Sequence, residues 1–81
     1  MRSGFKLQIN YLFKKDGEQI PAFTAPINQS EKIYATIIEL EKINPDDFIK
    51  GTLTNYKKPK MKITFQTRDE LIQALKFYLT Q

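Results

Sequence analysis

The chain has 81 residues, a formal net charge of +4, no cysteine and no histidine. A single domain of this length, spanning residues 1–81, buries only about 60–65% of the surface its unfolded form exposes. It has no disulfide to help it, and the usual zinc and haem ligand sets are missing, so no cofactor or metal is expected. No apolar run exceeds three residues, so neither a membrane-spanning helix nor a signal-peptide core is expected, and a cytoplasmic protein fits best.

The charge is unevenly placed. Residues 1–15 carry Arg2, Lys6, Lys14 and Lys15 with no acid, whereas residues 16–47 hold seven acids against Lys32 and Lys42. Residues 48–68 are again acid-free and carry Lys50, Lys57, Lys58, Lys60, Lys62 and Arg68. If the acids fall on one layer of the fold and the bases on another, one surface will attract polyanions.

Phe5, Leu7, Ile9, Tyr11 and Phe13 alternate with Lys6, Gln8 and Asn10, the period-two pattern of a half-buried strand. Asp16-Gly17 follows, a preferred pair where both central residues of a hairpin turn need positive φ. With that turn, Lys15 faces Glu18, Phe13 faces Ile20 and Tyr11 faces Ala22, which keeps apolar residues together and pairs opposite charges. The second strand is expected over about residues 19–25. Pro21 and Pro26 cannot donate to a ladder and assign it to an edge.

Ile33, Ile37 and Leu40, with Tyr34 beside them, recur at helical spacing, and Asn28 with Glu31 has the form of an N-capping box. The helix is expected to end near Ile43, before Asn44-Pro45 and Asp46-Asp47. It is about as long as a strand, so it returns the chain to the other end of the sheet and the third strand should run parallel to the second. That third strand, residues 48–56, contains Gly51 and has Ile49 and Leu53 as its inward residues. Lys57-Lys58-Pro59-Lys60 reads as a basic loop. Met61, Ile63 and Phe65 alternate with Lys62, Thr64 and Gln66 in a fourth strand. Thr67 with Glu70 marks a second capping box, followed by an apolar stripe of Leu71, Ile72, Ala74, Leu75, Tyr78 and Leu79. Phe77 lies off that stripe.

The order ββαββα predicts an α+β two-layer sandwich, with two helices on one face of a four-stranded antiparallel sheet. Strand orders 2-1-3-4 and 1-2-4-3 both suit the directions; the second puts the proline-bearing strand in the middle, so 2-1-3-4 is expected.

Catalytic signatures are weak. Ser-His and Cys-His nucleophile pairs cannot be built, the three glycines are too dispersed for a phosphate loop, and Asp46-Asp47 reads as an acidic turn rather than a cation site. An enzyme is not expected. The sequon Asn28-Gln29-Ser30 is explained by a helix start.

The sheet face turned from the helices should carry Lys6, Gln8, Asn10, Phe23, Lys50, Thr52, Thr54, Tyr56, Lys62, Thr64 and Gln66. Lysines on such a face can pair phosphates while aromatic rings stack unpaired bases, the physical requirements for binding single-stranded nucleic acid. The candidate site is therefore Lys6, Lys50, Tyr56, Lys57, Lys58, Lys60 and Lys62. The plainer account is a solvated polar face guarded by lysine. An alternative function is a protein-interaction module, an adaptor, an inhibitor or a homodimer, using Leu12, Phe23, Ile38, Phe48 or Phe77.

Overall fold

The computed structural model describes residues 6–56 and 61–80. Four strands and two helices follow in the order β1 (Leu7–Lys15), β2 (Glu18–Ile27), α1 (Ser30–Glu41), β3 (Phe48–Asn55), β4 (Met61–Phe65) and α2 (Arg68–Leu79), with one 3-10 turn over Pro45–Asp47. The fold is α+β. Its sheet runs in the order β2-β1-β3-β4, every neighbouring pair is antiparallel, and β3 therefore points the same way as β2.

The β1–β2 hairpin follows from its turn. Asp16 (φ 54°) and Gly17 (φ 84°) both take positive φ, and Lys15 is opposite Glu18, Phe13 opposite Ile20 and Tyr11 opposite Ala22. A register shift between Leu7 and Ile9 lets β2 continue to Ile27, which is fully buried opposite Leu7. β2 thus ends two residues later than the pattern suggested, because burying Ile27 is worth more than an earlier helix start.

That extension overturns the expected first cap. The N-cap of α1 is Gln29, not Asn28, and its side chain makes no capping hydrogen bond. Asn28 lies outside the helix, which leaves Glu31 in the first turn to favour the helix dipole without closing a box. At its other end α1 stops at Glu41, two residues before the expected Ile43. Arg68 supplies what that end lacks: its guanidinium donates to the carbonyls of Glu41 (3.3 Å) and Ile43 (2.8 Å). It is the cation that favours this helix C-terminus, so Arg68 is tied to the helix layer and does not add to the sheet's basic surface.

The second cap is half as expected. Thr67 Oγ1 accepts from the Glu70 amide at 3.2 Å, but Glu70 Oε1 accepts from the Gln66 amide (3.3 Å), one residue earlier than a capping box requires. Thr67→Ala should lower stability by about 1 kcal/mol. Urea unfolding reads this as a lower midpoint with an unchanged slope, and an unchanged midpoint would mean that the threonine oxygen contributes nothing.

Leu7, Ile9, Ile27, Ile33, Ile37, Leu40, Phe48, Leu53, Leu71, Ile72 and Leu75 form one core between sheet and helices. Phe48 is an inward residue and Ile49 is not. The pairing shifts between Leu12, opposite Lys50, and Phe13, opposite Phe48, so Ile49 is the extra residue of a bulge. Phe48 then stacks on Tyr11 with ring centroids 6.4 Å apart. Tyr34 is also misplaced by its pattern: α1 buries only the strip Ile33, Thr36, Ile37 and Leu40, and leaves Tyr34 exposed beside Ile38.

Candidate nucleic-acid interface

Residues directly opposite one another in a sheet share a face, so the pairings build the surface away from the helices row by row. One row runs Phe23, Asn10, Thr52, Thr64 across all four strands, a second runs Pro21, Leu12, Lys50, and a third runs Gln8, Thr54, Lys62. Lys6 and Tyr56 meet at the end of these rows, where the Tyr56 amide donates to the Lys6 carbonyl at 2.9 Å. No carboxylate occurs in any row. The exposed acids of the helix layer, Glu31, Glu39, Glu41, Asp69 and Glu70, lie on the other side of the sheet.

The two aromatic groups of this face differ. The Tyr56 hydroxyl donates to Gln8 Oε1 at 2.7 Å across two strands, which holds the phenol along the sheet with its ring partly exposed. Phe23 is the more open, with 64% of its surface exposed. It borders a shallow depression of about 220 Å³ that is also lined by Asn10, Leu12, Pro21, Lys50 and Thr52. β2 and β3 are two strand spacings apart, and Lys50 lies two residues along β3 from Thr52, the residue in Phe23's row, so the Cα atoms of Lys50 and Phe23 stand about 12 Å apart across this depression. A planar group stacked on Phe23 would have the Asn10 amide and Thr52 hydroxyl at its edge, and a cation within reach of an attached anion.

Of the candidate residues, Lys6, Lys50, Tyr56 and Lys62 are brought together here, and all four are exposed. Lys57, Lys58 and Lys60 lie outside the described residues. Phe23, Asn10 and Thr52 were on the expected face without being assigned to the site. What makes them a unit is the register that sets Asn10 between the other two.

A second cleft, about 340 Å³, opens on the helix side between α1 and the hairpin, lined by Tyr11, Phe13, Lys42, Asn44 and Asp47 among others. Burial, and then the nearby Glu39 charge, raise the Tyr11 pKa above the usual phenol value. The phenol stays protonated at neutral pH and cannot act as a base. Asn44 is engaged in its own turn, accepting from the Asp46 amide at 2.9 Å. Among the described residues no group of three or more His, Cys, Asp or Glu is placed to hold a metal, and no helix is long and apolar enough to cross a membrane. No known protein family, curated protein or solved structure matches the chain.

Proposed function

We propose that the protein is a non-enzymatic, cytoplasmic binding protein whose outer sheet face takes single-stranded nucleic acid. The observation that carries this is an acid-free face on which Phe23 is mostly exposed beside Asn10, Thr52 and Lys50. Phe23 stacks one base, Tyr56 supports a second, and Lys50, Lys62 and Lys6 contact phosphates. Lys57, Lys58 and Lys60, which follow Tyr56 in sequence, add further positive charge.

Fluorescence anisotropy with labelled oligonucleotides, from low to physiological salt, tests the two roles separately. The double variant Lys50→Gln/Lys62→Gln should reduce the slope of log affinity against log salt by about 1.4, taking about 0.7 per phosphate contact on a single strand. Phe23→Ala should weaken binding by about 1–3 kcal/mol with little change in slope. Absence of binding at low salt would eliminate the nucleic-acid function and favour a protein-interaction module instead.

A further inference from the structure

We infer that two copies of this chain join through the β4 edge, continuing the sheet across a two-fold axis. The two edges of the sheet are built differently. β2 carries Pro21 and Pro26 and a register shift, the devices that discourage strand addition. β4 has no proline, and it pairs with β3 in unbroken register from Gly51–Phe65 to Asn55–Met61. Among the described residues no strand covers its other side.

The layer above this edge is unfinished as well. Ile63 pairs with Leu53 on the inward face, yet Leu53 is 2% exposed and Ile63 40%. Beside them a groove of about 540 Å³ opens between β4 and α2, lined by Phe65, Asp69, Glu70, Gln73 and Ala74. Glu70, Gln73, Ala74 and Phe77 are spaced i, i+3, i+4 and i+7, so exposed Phe77 continues the same helix side.

The occupant that fits is a second copy, because both layers are self-complementary about one axis. Antiparallel pairing of β4 centred on Ile63 sets Ile63 against Ile63 of the second copy and Lys62 against Thr64, so no like charges oppose. Antiparallel approach of α2 centred on Gln73 brings Glu70 level with Lys76 of the second copy, and α2 is acidic in its first turn and basic in its last. The two centres coincide in height. Ile63 lies two residues before the end of β4, about 7 Å from the turn, and Gln73 five residues into α2, about 7.5 Å from it. The dimer does not depend on nucleic-acid binding, although it would join two basic faces into one.

Sedimentation equilibrium of the full chain, from micromolar to near-millimolar concentration, should give twice the mass of one chain at the upper end. Ile63→Lys should weaken dimerisation at least about tenfold, as a charge placed at the centre of an interface does. Glu70→Lys and Lys76→Glu should each weaken it, and the double swap should restore it. Gln73→Glu, an exposed helix position on the axis, serves as the second probe if circular dichroism shows that Ile63→Lys has lost the fold. A chain that remains monomeric throughout, a dimer indifferent to both Ile63→Lys and Gln73→Glu, or a dimer lost only on changing Tyr34 and Ile38 of α1 would overturn the proposal.

Discussion

Ile9→Ala is expected to lower stability by about 2–5 kcal/mol, the range for deleting a large aliphatic group from a core that cannot collapse around the gap. Ile9 is fully buried in β1, the central strand paired on both sides, with Leu53 opposite it on β3. Helices above and strands on both sides hold the cavity open. A chain of this length has a total stability of about 4–12 kcal/mol, so the variant should be partly unfolded at moderate temperature. Ile63→Ala is the control. It removes the same atoms from the same sheet face, but Ile63 is 40% exposed, so the loss should be about 1 kcal/mol or less in dilute solution. Guanidinium unfolding of both variants measures the difference; equal losses would mean that the helices do not cover the sheet as described.

Gly51→Val should cost about 3 kcal/mol, the upper part of the range for overpacking. Gly51 sits on the inward face of β3, between Tyr11 on β1 and Phe65 on β4. A Cβ there would lie 2.8 Å from Leu71 Cδ2 and 3.0 Å from Phe48 Cζ. Leu71 is fully buried in the same core cluster as Ile72 and Leu75, so its side chain has little room to swing aside. The strand preference gained by valine is smaller than this clash. The cause can be isolated with a double-mutant cycle. Leu71→Ala alone removes core packing, but in the Gly51→Ala background it also relieves the contact. The two changes together should therefore cost less than their sum by at least about 0.5 kcal/mol. Strict additivity would mean that Gly51 is not conserving space for Leu71.

What the sequence revealed and what it concealed divide along local and long-range lines. The hairpin was legible because Asp16-Gly17 fixes a turn by backbone sterics, and the turn then fixes every pair up to Ile9 and Thr24. The edge position of β2 was legible because a proline cannot donate to a ladder. The start of α1 was not. Asn28 has the right chemistry for a cap, but whether the chain is still in a strand there depends on Ile27 finding Leu7 twenty residues earlier. The β3 bulge was hidden for the same reason. Phe48 and Ile49 are both apolar, and only the pairing with Leu12 and Phe13 decides which one turns inward.

The candidate surface divides similarly. That Lys6, Lys50 and Lys62 share a face followed from alternation. That Arg68 is drawn off to the end of α1 did not, since its carbonyl partners are 25 and 27 residues away. Tyr56 was singled out as an aromatic beside a basic segment, without its bond to Gln8 across two strands. The hairpin register sets Phe23 beside Asn10, but Phe23 gained its importance only from the sheet order, which places β3 on the far side of β1 and so puts Lys50 in the same depression.

Titration of the isotopically labelled protein with a short single-stranded oligonucleotide at low salt, followed by amide chemical-shift mapping, tests the central claim most directly. The claim predicts shifts concentrated at Gln8, Asn10, Phe23, Lys50, Thr52, Thr54 and Lys62, fading as salt is raised, with α1 and α2 unaffected. Shifts confined to the helices, or none at low salt, would contradict it.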